Sequence, residues 1–222
     1  MTGGRPAPKT TTQRRRASER VLHELRHRII TLGLAPGAVV TEEYLCSLLD
    51  CSRTPLREAL QLLAREHLVI AVPHRGVSIA ELSIVDFPAL VEATEGVEAF
   101  LARLAAERAT DDQLVELEGL VEASESASAA GDLGQVAELD FRFHHAVGEA
   151  VDNHLMIEVQ DTLHRLAMRF VFMGFRRAGT AAGAVADHRR ILAALRTRVP
   201  DVAEAAVHEH NRNARERMRA AL

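Results

Sequence analysis

From Ser18 onward the apolar residues Val21, Leu22, Leu25, Ile29 and Leu32 recur three and four apart, the period of one helical face, until Gly33 offers the left-handed backbone that commonly closes a helix. Past the turn at residues 33–37, Thr41 has the place of an N-cap, with Glu42 and Glu43 in the first turn and Tyr44, Leu45, Leu48 and Leu49 as the buried side of a short second helix. A third helix is predicted to begin near Ser52 or Thr54, with Pro55 in its first turn where a missing N–H costs nothing, and to reach about Glu66. Residues 68–72 and 77–80 are β-prone and flank Pro73-His74-Arg75-Gly76, which reads as a hairpin. Beyond Ala80 the pattern is helical over 86–109, 111–129, 133–151, 154–175, 181–196 and 200–222, with breaks at Gly131, Asn153 and Gly179 to Gly183. The expected fold is therefore mainly α. Residues 1–17 form a basic flexible arm, 18–80 a winged helix-turn-helix with a small β-hairpin wing, and 81–222 a compact six-helix bundle.

Charge sharpens that division. The chain of 222 residues is net −4, yet residues 1–80 carry net +5 and residues 81–222 net −9. The basic part is the candidate nucleic-acid side. In the third helix Leu56, Leu60 and Leu63 share one face, while Arg53, Arg57 and Gln61 line the opposite one at four-residue spacing. A helix in the major groove reads guanine with Arg and adenine with Gln, and Ser52 or Thr54 at its start can hold phosphate. The alternative is an ordinary solvated face. Two cysteines without metal-finger spacing argue against a disulfide framework and fit a reducing cytoplasm. The N-terminal stretch lacks the apolar segment of a secretory signal, and no apolar run approaches a membrane span.

Seven of the eleven histidines lie after residue 80, and helical phase sorts them. Val136, Leu139, Phe143, Val147 and Val151 define an apolar stripe on which Asp140 and His144 also sit, one turn apart. His188 shares a face with Val185, Ile191, Leu192 and Leu195. His210 does so with Ala203, Val207, Ala214 and Met218, whereas His208 aligns with Glu204 and Arg215 toward solvent. One carboxylate and three imidazoles from three helices form an N/O ligand set suited to a divalent transition metal: zinc, nickel, manganese or iron. Taken singly, each is equally a hydrogen-bonded core residue. Arg165 and Arg169, one turn apart, and Asn153 ahead of them are candidate effector contacts, with a surface salt bridge as the arginines' other role. Phe170, Phe172 and Phe175 form either a pocket wall or packing.

The run from Ile30 to Gly37, then Cys51-Ser52-Arg53-Thr54-Pro55-Leu56-Arg57-Glu58-Ala59-Leu60, then Leu68-Val69 and Arg75-Gly76, resembles the DNA-binding domain of the GntR family. The resemblance implies a homodimer on a palindromic double-stranded operator, with Arg53, Thr54 and Arg57 at bases or phosphates and His74, Arg75 and Gly76 at the wing tip. Glu43 departs from it, standing where members often carry an Arg. Asp140-x-x-Phe143-His144, the turn from Gly148 to Asn153, Asp187-His188 before Ile191-Leu192, and Ala203 with His210 look like the FCD effector domain of FadR-type members. In metal-binding members those positions ligate the ion, and an acidic metabolite commonly completes its coordination. Thr94 stands where many members have a carboxylate-clamping Arg, and Asp187 replaces the more usual Glu.

These residues together point to a transcription regulator whose operator affinity answers to a small effector at a metal-containing site. A helical metalloenzyme competes, since such a ligand set leaves positions open for hydrolysis or oxygen chemistry, but no separate general base is evident and a winged helix would be surplus. A purely structural metal is a third reading.

Overall fold

The computed structural model describes residues 11–73 and 75–221. By internal contacts the described chain divides into one unit ending at Glu81 and a second running from Leu82, with the stretch Ile30–Gly33 belonging to the second.

In the first unit, Val21, Leu25 and Ile29, spaced by four, are the buried stripe of α1 (Thr11–Ile30). The helix begins seven residues ahead of the expected start. Its first turns carry an exposed Arg15–Glu19 pair at 2.9 Å and no apolar stripe, so they leave no periodic mark in the sequence. The Arg5 and Lys9 portion of the expected arm lies outside the described residues. A two-residue strand, β1 (Val39–Val40), precedes α2 (Glu42–Leu48), whose first turn is capped by Thr41 accepting the Tyr44 amide at 3.1 Å. The third helix, α3 (Arg53–Arg65), buries Leu56, Ala59, Leu60 and Leu63, each fully buried Leu contributing about 2 kcal/mol by area. Its far end is tied to α1 by Arg26, which donates through Nε and Nη2 to Glu66 at 2.9 and 2.5 Å.

The wing is β2 (Val69–Val72) against β3 (Gly76–Ile79), antiparallel, with Val69 opposite Ile79 and Val72 opposite Gly76. The short β1 adds to the other edge of β3, giving strand order β1-β3-β2. Two residues are too few to show alternation, so only the edge that β3 presents calls this strand into existence. Gly76 has φ 109°, and a Cβ there would meet the Val40 carbonyl and lie 2.9 Å from the Thr41 Cα. No side chain fits at this crossing.

The link between α2 and α3 is a tight helix end. Asp50 takes a left-handed φ of 46°, and the Cys51 N–H donates to the Cys46 carbonyl at 3.1 Å. The Arg20 guanidinium from α1 donates to the carbonyls of Leu49 at 3.3 Å and Asp50 at 3.2 Å, holding the turn from outside.

The second unit comprises α4 (Phe87–Arg108), α5 (Asp111–Ala129), α6 (Leu133–Glu149), α7 (His154–Ala178), α8 (Ala182–Arg196) and α9 (Pro200–Ala221). Local chemistry sets the boundaries: Thr110 and Gln113 form a reciprocal capping box on α5, Asp132 caps α6, and Gly179 closes α7 at φ 69°. In the packing α4 lies against α6, α7, α8 and α9, α5 against α6 and α8, and α8 against α9. Leu101, Leu117, Val136, Phe143, Leu192 and Ala203 meet in one continuous apolar core. A set of buried polar side chains sits inside it.

Candidate functional site

Asp140 and His144 lie on the buried face of α6, His188 on that of α8 and His210 on that of α9. The structure brings all four together. The rings of His144, His188 and His210 form a near-equilateral triangle with centroid separations of 5.1, 5.2 and 5.2 Å. Each offers a nitrogen, and the three nitrogens lie within 4.8 Å of one another. His144 Nε2, both ring nitrogens of His188 and His210 Nδ1 are buried without a hydrogen-bond partner. Asp140 Oδ1 is 3.3 Å from His188 Nε2, but outside hydrogen-bond alignment. Buried unpaired donors are costly, and burial drives His188 well below the ordinary imidazole range and His210 down to about 4, so both are neutral at pH 7. Neutral imidazoles with unpaired nitrogens beside a carboxylate fit a divalent transition metal.

Two residues that phase analysis of the sequence did not single out complete the cluster. His164 on α7 stands 2.8 Å from Asp140 Oδ2 through Nε2 and 3.2 Å from Glu98 Oε1 through Nδ1. Burial alone would lower its pKa, but the two carboxylates overrule burial and lift it to about 10, so His164 is an imidazolium. Burial likewise pulls Glu98 and Asp140 upward, while the surrounding histidines hold both below the usual carboxylate range. Glu98 also lies 3.1 Å from His144 Nδ1 and accepts from Asn211 Nδ2 at 3.0 Å. Gln160 completes the support of α6 by donating to the His144 carbonyl at 2.8 Å. A signal for both residues existed: Gln160, His164 and Met168 on α7, and Thr94, Glu98 and Ala102 on α4, are buried residues at four-residue spacing.

A cavity of about 40 Å³ adjoins the cluster, lined by Thr94, Glu98, Asp140, His164, His210, Asn211 and Arg217 among others. Thr94 spends its hydroxyl on the Leu90 carbonyl at 2.8 Å, as a helix residue turned back on its own backbone. Arg217 pairs with the buried Asp187 at 2.8 Å. Val171, Ala214 and Arg217 also border a second, mostly apolar cavity of about 150 Å³ with Gly174, Phe175 and Met218. The three effector contacts expected from sequence are not among the residues lining either cavity. Asn153 caps α7, accepting from the Met156 amide at 3.3 Å. Arg165 pairs with Asp161 at 3.1 Å and lies 4.5 Å over the Phe141 ring. Arg169 is buried, which lowers its pKa to about 10. Phe170, Phe172 and Phe175 are buried, Phe170 against Phe87 with centroids 4.7 Å apart.

On the other unit, Arg53, Thr54, Arg57 and Gln61 are exposed along α3. Arg57, Arg75 and Gly76 border one recess with Thr41, Glu42 and Val72, which puts the turn end of the wing beside the arginine face. Arg57 Nε is shared between both carboxylate oxygens of Glu42 at 3.0 Å. Glu43 points into solvent, and His74 lies outside the described residues. Among the described residues no helix is long and apolar enough to cross a membrane.

Comparison with known proteins agrees with both halves. Residues 89–213, more than half of the chain, match the FCD domain family, and residues 17–79 match the bacterial regulatory proteins of the gntR family. The chain is 26% identical over 193 residues to the HTH-type transcriptional repressor RspR of Escherichia coli strain K12, covering 87% of this chain and 85% of that one. It is 29% identical over 182 residues to a probable D-xylose utilization operon transcriptional repressor of Paenarthrobacter nicotinovorans, covering 82% and 80%. Among solved structures, E. coli McbR/YncC superposes with a TM-score of 0.80 at 22% identity, over 92% of this chain and 97% of that chain, a likeness of fold.

Proposed function

This chain belongs to the GntR family of regulators with an FCD domain, a DNA-binding transcriptional regulator and not an enzyme, and on that premise we propose that its operator affinity is set by a small acidic effector bound beside a metal ion in the helical unit. The observation that carries the metal is the triangle of His144, His188 and His210, whose buried nitrogens lack partners while Asp140 stands at its edge. Those four residues would hold a zinc, nickel, manganese or iron ion. When bound, the ion would supply Lewis-acidic positions for an effector oxygen. Glu98 fixes the orientation of His144, and His164 fixes that of Asp140. Thr94, Asn211 and Arg217 border the space where the effector would sit, and the adjoining apolar cavity gives room for an aliphatic part. Arg165, Arg169 and Asn153 would then act on the effector only through α7.

On the DNA side, Arg53, Thr54, Arg57 and Gln61 would meet a palindromic operator in the major groove, with His74, Arg75 and Gly76 at the wing, the protein acting as a cytoplasmic homodimer. Effector binding would shift operator affinity by a coupling of about 1–3 kcal/mol. The test is elemental analysis of untagged protein beside its His210→Ala variant. About one ion per chain, lost in the variant, is expected. Equal and negligible metal in both would remove the ion from the proposal and leave the cavity as a metal-free pocket.

A further inference from the structure

We propose that Cys46 and Cys51 form a peroxide-oxidisable dithiol, a disulfide-forming modification site built into the turn that joins α2 to the DNA-reading helix α3. The pairing follows from the backbone. With Leu49 as C-cap and Asp50 left-handed, Cys46 and Cys51 occupy the two positions that a helix end of this kind brings side by side, where apolar side chains ordinarily touch. The Cys51 N–H to Cys46 carbonyl bond of 3.1 Å closes that turn. Both thiols are free and only partly buried, and Cys46 lies near enough to act on the ionisation of Cys51, so a small oxidant reaches the pair. Arg20 clamps the carbonyls of Leu49 and Asp50 from α1, which keeps the thiols in register.

The surroundings assign roles. Burial, and then the neighbouring Cys46 sulfur, push the Cys51 thiol up, so it stays protonated and serves as the second, resolving thiol. With Cys51 held protonated, the attack on the oxidant is assigned to Cys46. The oxidant is hydrogen peroxide. The Cys46 thiolate attacks one peroxide oxygen, the O–O bond breaks, and hydroxide leaves, giving a sulfenic acid. Cys51 Sγ then attacks the Cys46 sulfur, forming the S–S bond while its proton and the departing hydroxyl leave as water. Two thiols give up two electrons, and one peroxide becomes two waters.

Bonding draws the two sulfurs to about 2.05 Å of each other. The turn that aims Arg53 and Arg57 must follow. Disulfides in reducing compartments are usually transient and redox-sensing, which suits a site on a regulator's DNA-reading element.

Both cysteines fall on one tryptic peptide, from Ile29 to Arg53. The full-length, chelator-treated protein is exposed to near-stoichiometric hydrogen peroxide, blocked with iodoacetamide and digested without reductant. The expected peptide has lost two hydrogens and carries no alkyl group. Its affinity for a duplex selected from a randomised pool on the reduced protein should fall about tenfold or more, the scale of one lost base contact, and return with dithiothreitol. A Cys51→Ser variant should stop at a dimedone-trappable sulfenic acid on Cys46, and the Cys46→Ser/Cys51→Ser protein should bind the duplex with or without peroxide. Recovery of a doubly alkylated peptide, a disulfide only between chains, unchanged DNA affinity, or equal peroxide sensitivity in the double variant would each overturn the proposal.

Discussion

Glu98 on α4 holds the Nδ1 edge of His144 on α6 at 3.1 Å, and so turns the other edge of that ring, Nε2, toward His188 and His210. One carboxylate thereby selects which nitrogen of His144 is offered to a ligand, the arrangement by which metal-binding imidazoles are commonly fixed.

Metal-free protein should be most stable near neutral pH. His210, whose folded pKa falls to about 4, and His188, also depressed, stay neutral in the fold, while the unfolded chain takes up protons below about 6.5. Stability therefore falls as pH drops from 6.5 toward 4, by about 1.4 kcal/mol per unit for each group. His164, raised to about 10, keeps its proton in the fold between 6.5 and 10 where the unfolded chain loses it, so stability falls again as pH rises through that window. Thermal midpoints in chelator across pH 4 to 10 should trace a dome. A flat profile would contradict these protonation states.

His164→Gln removes the one cation facing two buried carboxylates. Breaking a buried pair on one side costs about 3–5 kcal/mol, since Asp140 and Glu98 are each 4% exposed at the side chain and would lack compensation. Urea unfolding should show that loss in chelator and a smaller one with zinc or nickel present. Equal losses under both conditions would mean that Asp140 does not face the ion.

Arg57→Ala should weaken binding to a selected duplex by about 1–3 kcal/mol, the cost of a bidentate base contact. Glu42→Gln takes away the partner that shares Arg57 Nε at 3.0 Å and a negative charge from the recess that Arg57 and Arg75 border, so binding to random duplex should tighten a few-fold at low salt. Fluorescence anisotropy across a salt series reads both. Random-duplex affinity unchanged in Glu42→Gln would place Glu42 outside the field of the phosphates.

Gly76→Ala should unfold the wing first. A Cβ at φ 109° costs about 1–3 kcal/mol in backbone strain, and it also strikes the Val40 carbonyl, which the strand pairing prevents from retreating. The midpoint of the first unit should drop by about 4–8 °C per kcal/mol, with the helical unit unaffected. An unchanged first transition would show that β1 yields.

Much of this architecture was legible because it rests on period. The stripes through Leu56, Leu60 and Leu63, and through Val136, Leu139, Phe143 and Val147, place their helices and turn Asp140 and His144 inward. What stayed hidden had another physical basis. Val39–Val40 is a strand only because β3 has a free edge, a tertiary cause with no local pattern. Glu98 and His164 went unread because a Glu and a His on long helices look like solvated positions until their phase is set against Thr94 and Ala102, or Gln160 and Met168. Asn153 carries the marks of a cap as plainly as those of a ligand contact, and the Met156 amide takes its oxygen.

The buried ring of ionised groups also fixes an order of events. Glu98 and Asp140 are anions, His164 is the cation set between them, and Arg217 pairs with Asp187, so two carboxylates face the cluster against one imidazolium. A carboxylate ligand is repelled from such a chamber, while a divalent ion reverses its sign. Ion and acid would thus enter as a conjunction, and the protein would report the presence of both where either alone leaves it silent.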